Sequence, residues 1–133
     1  MNEDFVTYEL AVKLKEKGFR EECLCHYIGE DLVYNIESPI TNNQLWFSHN
    51  KFNNIWHRDN IDAPTISQVL KWLRKEKRID VGAVWDNRDG KWIGYVNEMD
   101  MPDLVGEYVL HNTYDAYEQA ALAGIEYVLD NLI

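Results

Sequence analysis

Apolar side chains recur at helical spacing in three segments of this chain. The first segment, Tyr8–Lys17, follows Thr7, whose hydroxyl is placed to cap the free amides of the first turn. Gly18 supplies the left-handed residue that ends many helices, and Phe19 follows where its ring would contact Leu14. Cap, apolar stripe and stop signal agree, so this pattern predicts the first helix.

The second helical segment begins at Pro64 and Thr65. Proline is favoured in a first turn because its missing N–H is not needed there, and Thr65 and Gln68 have capping-box spacing. The apolar side of the segment predicts a buried helix face. Its polar side carries a basic stripe, which consists of Lys71, Arg74, Lys75 and Arg78.

The third helical segment spans Tyr114–Asn131, with Asn112 and Thr113 as its candidate caps. Alanine and glycine are frequent on its apolar side. Gly124 costs a helix about 1 kcal/mol relative to alanine, so we expect a packing reason for this glycine.

Alternating polar and apolar positions predict strands between the helices. Residues 22–36 and residues 81–97 each alternate about a central turn, which indicates two hairpins. Residues 37–63 are rich in asparagine, which favours turns, so we expect a long loop with a short strand around 44–48. Residues 107–110 form a candidate last strand.

The second hairpin has two candidate registers. A two-residue loop would place Arg88 opposite Lys91, which brings like charges together. A four-residue loop instead pairs Asp86 with Lys91 and Trp85 with Trp92. Opposite charges and aromatic pairs stabilise neighbouring strands, so we predict the four-residue loop.

Together these elements predict one α+β domain over residues 1–133. Hairpins imply antiparallel pairing, and a mixed sheet is the alternative. We expect a sheet of four to six strands, built from hairpins and packed by three amphipathic helices. A chain of 133 residues is long enough to bury a core of this kind.

Charge is unevenly distributed along the chain, whose formal net charge is −10. Residues 92–133 contain no lysine or arginine, whereas acids continue to the end of the chain. Net negative charge argues against direct binding to nucleic acid or anionic lipid. The chain has no apolar run of the roughly 20 residues that a membrane span needs, and its first residues are acidic. We therefore expect a cytoplasmic protein that does not bind membranes.

Motifs for catalysis or metal binding are weak. Cys23-x-Cys25-His26 lacks a second cysteine pair, and strand alternation places His26 on the face opposite the thiols. His49 and His57 lack the nucleophile and acid that a catalytic histidine needs. No phosphate-binding or dinucleotide-binding glycine motif occurs in the sequence. We expect no catalytic residue, no metal site and no cofactor.

Two segments resemble a known family. They are Ala63–Arg74 (APTISQVLKWLR) and Tyr117–Leu129 (YEQAALAGIEYVL). The pair is similar to small uncharacterised proteins that phages, prophages and mobile elements of gut Bacteroidetes carry. The resemblance implies an accessory or host-interaction role, but it implies no activity and no site residues.

The acidic C-terminal third is the leading candidate for a binding surface. Complementary charge steers a basic protein surface towards carboxylates. We expect a non-enzymatic protein that binds a basic protein partner or, in a narrower form, mimics nucleic acid and blocks a basic host protein. A homo-oligomer through the Ala/Gly side of the third helix is an alternative. The candidate partner-binding residues are Asp103, Glu107, Asp115, Glu118, Glu126 and Asp130.

Two further interpretations rest on aromatic residues. Trp85 and Trp92 are the candidate platform for a sugar or a base, although strand aromatics also pair to stabilise a sheet without any ligand. The alternative function is a small ligand-binding or enzymatic domain that uses the 46–57 loop, whose tryptophans and histidines would surround a pocket.

Overall fold

The computed structural model of the chain describes residues 4–34, 60–100 and 107–133. The chain divides into two compact units, residues 1–65 and residues 66–133. Each unit contains helix and an antiparallel sheet, so the predicted α+β class is confirmed. The single domain over residues 1–133 stays a prediction.

The described strands form two sheets of three rather than one sheet of four to six. The first unit has the order β2–β1–β3, with β1 (Cys25–Ile28), β2 (Asp31–Tyr34) and β3 (Asn60–Ala63). The second unit has the order β4–β5–β6, with β4 (Ile79–Asp86), β5 (Lys91–Glu98) and β6 (Glu107–Tyr114). The described helices are α1 (Tyr8–Glu16), α2 (Ile66–Trp72), which continues into a π-helical turn (Leu73–Lys77), and α3 (Tyr117–Asn131).

Helix α1 begins and ends as its sequence predicts. The Thr7 hydroxyl accepts a hydrogen bond from the amide of Leu10 at 3.3 Å. Gly18 has φ +97°, and the amide of Phe19 donates to the carbonyl of Leu14 at 3.0 Å. This is the Schellman ending, which satisfies carbonyls that the helix leaves free.

The first sheet includes a strand that the sequence did not reveal. Strand β3 pairs antiparallel with β1 and places Ala63 opposite Cys25 and Asp62 opposite His26. These positions were expected in the long loop, and that prediction is wrong for Asn60–Ala63. The segment is short and half polar, so only the ladder with β1 identifies it as a strand.

The first unit has an aromatic link between its helix and its sheet. The Tyr27 hydroxyl donates to the carbonyl of Val6 at 2.6 Å, and the Tyr27 ring meets the Tyr8 ring edge-on with 5.7 Å between centroids. Burial raises the pKa of Tyr27, with the Glu9 carboxylate as a further cause. The tyrosine therefore stays neutral and holds this hydrogen bond at physiological pH.

The β4–β5 hairpin has the register predicted from its charges and aromatic residues. Asp86 pairs with Lys91 and Trp85 with Trp92. The amide of Gly90 donates to the Asp86 carbonyl at 2.8 Å, with Gly90 at φ +65°. The four-residue loop is therefore confirmed, because it alone gives this pairing.

Helix α3 packs on one face of the second sheet through Gly124. A Cβ atom at Gly124 would lie 2.6 Å from Cγ1 of Val81 and 3.8 Å from Cγ2 of Val96. A contact of 2.6 Å is shorter than a side chain tolerates, so the predicted packing reason for this glycine is confirmed. Val81 and Val96 are cross-strand neighbours, so α3 covers the face to which both belong.

The start of α3 differs from its prediction. The helix begins at Tyr117 rather than Tyr114, and Ala116 is its N-cap without a side-chain hydrogen bond. Asn112 and Thr113 are wrong as caps, because they belong to β6, which extends to Tyr114. Pairing with β5 therefore outweighs the local capping preference of these two residues.

The basic stripe lies at the end of the second helical segment, where the helix widens. Arg78 adopts the left-handed conformation, with φ 57°, and its amide donates to the carbonyl of Leu73, five residues earlier. The stripe residues Lys71, Arg74, Lys75 and Arg78 are all exposed. The Arg78 guanidinium reaches Asp100 at 3.2 Å.

Candidate partner-binding surface

The outward side of α3 carries a row of polar and acidic side chains. Gln119, Glu126 and Asp130 are exposed, and Glu118 is half-buried at the first turn. Gln119, Glu126 and Asp130 fall within roughly 40° of each other around the helix axis, given 3.6 residues per turn. Glu118 lies roughly 80° from Glu126 around the same axis, at one border of this side. We call the four residues Glu118, Gln119, Glu126 and Asp130 the acidic row.

Helix stability does not explain the C-terminal part of the acidic row. Asp130 lies in the last turn of α3, which has no basic residue. The negative end of the helix dipole favours cations there by about 0.3–1 kcal/mol and disfavours carboxylates by a similar amount. The carboxylate is therefore placed against the preference of the helix that carries it.

Two acids of the row are not neutralised within the described part of the chain. No ion pair in that part involves Glu118 or Glu126. Lys71 and Arg74 of the basic stripe form no ion pair with them either, although α2 and α3 are in contact. Glu126 is exposed and Glu118 is half-buried, so both carry a charge that no described cation offsets.

The other candidate acids have different surroundings. Asp115 is bonded to the Lys91 ammonium, so its charge is largely offset. Asp103 and the side chain of Glu107 lie outside what the structure describes. The candidate surface therefore consists of α3 residues, with Gln119 added as a neutral member that the charge pattern could not identify.

An aromatic cluster lies where the β4–β5 hairpin meets the start of α3. Trp92 is at its centre, 5.3 Å from Trp85 and 5.4 Å from Tyr117 between ring centroids. The interplanar angles are 67° and 88°, so both contacts are edge-to-face. Tyr117 is the first residue of α3, so this cluster fixes the helix start on the hairpin.

The geometry of the cluster changes the interpretation of the tryptophan pair. Trp85 and Trp92 are not coplanar, so they do not form one continuous stacking surface. Trp92 is half-buried between two neighbours, whereas Trp85 is 49% exposed. Trp85 is therefore the ring that is open to a partner, and Trp92 supports it. Tyr117, which sequence spacing gave no reason to connect with the pair, completes that support.

The two thiols are buried, and burial raises their pKa values. Cys23 and Cys25 form no disulfide, and both are buried. Burial raises the pKa of Cys25 to about 11, and burial with the nearby Asp62 carboxylate raises the pKa of Cys23 further. Thiols in this state are weak nucleophiles and poor metal ligands.

The described residues do not form the histidine sites that the sequence suggested. His26 is buried in β1, and its register with Val33 and Asp62 puts it on the face opposite Cys25. His49 and His57, with the 46–57 loop, lie outside the described ranges. Among the residues that are described, no three His, Cys, Asp or Glu side chains form a metal-binding group.

Comparison with known proteins finds no matching family model, no matching curated protein and no matching solved structure. Among the described helices, none combines the length and the apolar character that crossing a bilayer requires.

Proposed function

We propose that this chain is a non-enzymatic accessory protein that binds a basic protein partner through the acidic row of α3 and the exposed ring of Trp85. The observation that carries this proposal is that no described cation pairs with the half-buried Glu118 or the exposed Glu126, on a helix in a region without lysine or arginine. Long-range attraction to such a surface speeds encounter with a cationic partner.

Trp85 gives the proposed surface an anchor. Tryptophan and arginine are the residues that most often dominate binding energy at protein interfaces. An arginine of the partner that lies over the open face of Trp85 gains a cation–π contact in addition to its attraction to the carboxylates. Trp85 and α3 share one sheet face, because Trp92 contacts both Trp85 and Tyr117.

The resemblance to proteins of phages and mobile elements supports a host-directed, cytoplasmic role. A narrower form of the proposal is nucleic-acid mimicry, in which carboxylates take the place of phosphates on a basic host protein. In that form, duplex DNA competes with this protein for the same partner. Failure of DNA to compete contradicts mimicry and leaves the broader proposal in place.

Affinity capture from a gut Bacteroidetes lysate tests the proposal. At low salt the immobilised protein retains a basic protein, and salt near 0.5 M releases it, because the Debye length shortens to a few ångströms. The matched variants are Glu118→Gln/Glu126→Gln and the control Glu16→Gln/Glu30→Gln, which remove equal charge from exposed or half-exposed positions.

The result expected is loss of the retained protein with the α3 variant alone. Equal retention by both variants would mean that overall charge, and not the acidic row, attracts the partner. Retention that persists at high salt, or no basic protein at low salt, contradicts the proposal.

A further inference from the structure

Two surfaces of opposite charge lie on neighbouring helices of the second unit. The basic stripe follows the second helical segment, the acidic row follows α3, and α2 contacts α3. Within the described residues, no ion pair joins Lys71, Arg74 or Lys75 to a carboxylate, and none joins Glu118 or Glu126 to a cation. The chain therefore carries two complementary surfaces that do not neutralise each other.

The charges on the two surfaces have similar spacing. Lys71 and Lys75 are four residues apart, as are Glu126 and Asp130. Four residues make about one helical turn, so each pair places like charges roughly 6 Å apart along its helix. Two cations one turn apart on one molecule therefore match two carboxylates one turn apart on another.

Each surface is unfavourable for the helix that carries it. Like charges four residues apart repel each other, which applies to Lys71 with Lys75 and to Glu126 with Asp130. Asp130 also lies at the end of α3 where the helix dipole disfavours a carboxylate. Contact between the two surfaces would replace repulsion within each helix by attraction between helices.

An apolar position lies inside the acidic row. Leu122 is half-buried and lies between Glu118 and Glu126 on the ridge that residues four apart form along a helix. The apolar stems of lysine side chains pack well on such a position while their ammonium groups reach neighbouring carboxylates.

We propose that two copies of this chain associate about a twofold axis, with the basic stripe of each copy against the acidic row of the other. A twofold contact is self-complementary, so both stripes and both rows are used at once and no matching surface is left to recruit a third copy. Self-association and capture of a basic partner then exclude each other, because they use the same carboxylates. That exclusion rests on the proposed function, whereas the self-association does not.

A second copy is the occupant that satisfies both surfaces. An acidic protein or a nucleic acid would cover the basic stripe alone, and the neighbouring acidic row would repel it. The Ala/Gly side of α3 is not open to a second copy, since Ala120, Ala121 and Gly124 are buried in the folded chain. The charged surfaces therefore carry the contact.

Net charge determines how this self-association depends on salt. Each copy carries −10, so two copies repel each other at long range when salt is low. The Debye length is about 30 Å at about 0.01 M salt, about 10 Å at about 0.1 M and about 3 Å at about 1 M. Intermediate salt screens the repulsion between whole molecules but preserves ion pairs about 4 Å long. Self-association should therefore be strongest at about 0.1 M salt and weaker on either side.

Sedimentation equilibrium across this salt range tests the proposal. Lys71→Glu/Lys75→Glu adds two negative charges at each position, which takes the net charge from −10 to −14. The control, Lys15→Glu/Arg88→Glu, has the same net charge and an intact stripe. The stripe variant should raise the dissociation constant of the dimer at least about tenfold more than the control does, because each reversal turns attraction into repulsion.

Mixing two variants provides a rescue. Glu118→Lys/Glu126→Lys makes the row basic, so this protein should not self-associate either. Its equimolar mixture with Lys71→Glu/Lys75→Glu restores both contacts and should associate. Its mixture with the control has the same overall charges but restores one contact, so it should associate more weakly. Circular dichroism checks that each variant is folded, and the stripe variant and its control decide alone if the row variant is not.

Absence of self-association at every salt concentration, or equal effects of the stripe variant and its control, overturns the proposal. Self-association that does not weaken between about 0.1 M and about 1 M salt indicates an apolar seam and also overturns it. A monomer that still captures a basic partner refutes the self-association and leaves the proposed function in place. A dimer with the expected salt and charge dependence that captures no basic partner supports the self-association and contradicts the proposed function.

Discussion

Gly124 shows how a residue that weakens a helix can stabilise the fold around it. Alanine would favour the isolated helix, but its Cβ would overlap the Val81 side chain. Gly82 has a similar role on the other face of the sheet, where the Tyr95 ring packs against it. The Tyr95 hydroxyl donates to the Asp80 carboxylate at 3.4 Å. Sequence predicted that Gly124 had a packing role, but it could not name Val81, because that contact joins distant parts of the chain.

Gly124→Ala is expected to lower the free energy of unfolding by about 1 kcal/mol, because overpacking of about 1–3 kcal/mol exceeds the helix-propensity gain. Val81→Ala removes the overlapping methyl groups, so the double variant should lose less stability than the two single losses predict. Urea denaturation of all four proteins measures this coupling. Simple additivity would contradict the packing account.

The buried thiols provide a prediction about pH and reactivity. The pKa of Cys25 is about 11 in the folded protein and near 9.0 ordinarily, so the folded state holds this proton more tightly. The resulting stabilisation is complete below pH 9 and is lost as pH rises towards 11. Ellman's reagent at pH 8 should therefore react slowly with the folded protein and rapidly in guanidinium. Fast reaction of native protein contradicts the burial of these thiols.

Local signals predicted the elements whose boundaries are set by neighbouring residues. The cap at Thr7, the stop at Gly18 and the four-residue turn before Lys91 all depend on short-range geometry. Strand β3 and the late start of α3 depend on partners distant in sequence. The division of the six described strands into two sheets has the same cause, since alternation identifies a strand face but not the neighbour of each strand.

The end of α1 offers a direct check of such a local signal. Gly18→Ala should cost about 1 kcal/mol, because φ +97° is strained for a residue with a Cβ atom. Gly18→Asn should cost less, because asparagine tolerates left-handed conformations better. Thermal unfolding of the three proteins measures the order. An alanine variant as stable as the parent would contradict the observed ending of α1.

At the scale of the whole molecule, the charge pattern predicted that α3 would be acidic, but it did not predict which individual residues would belong to the candidate surface. The absence of basic residues after Lys91 identified α3 as acidic, and Glu126 and Asp130 are exposed as expected. The ion pair of Asp115 with Lys91 and the open ring of Trp85 became apparent only from the fold, because both depend on the hairpin register.

Trp85 should contribute to partner binding without contributing much to stability. Trp85→Ala removes the half-exposed ring, so we expect partner affinity to fall at least about tenfold, as for an interface anchor. Trp92→Ala is the matched contrast, since loss of the central ring should lower the melting temperature substantially. Unchanged partner affinity in the Trp85→Ala variant would contradict the proposed role of Trp85 as an interface anchor.

The most direct test of the proposed binding surface is the salt dependence of the dissociation constant for the captured basic partner. Measured from low to high salt, Glu118→Gln/Glu126→Gln should bind about tenfold more weakly at low salt and show a shallower slope, and the Glu16→Gln/Glu30→Gln protein should match the parent. Equal affinities and slopes for all three proteins would contradict a binding role for the acidic row.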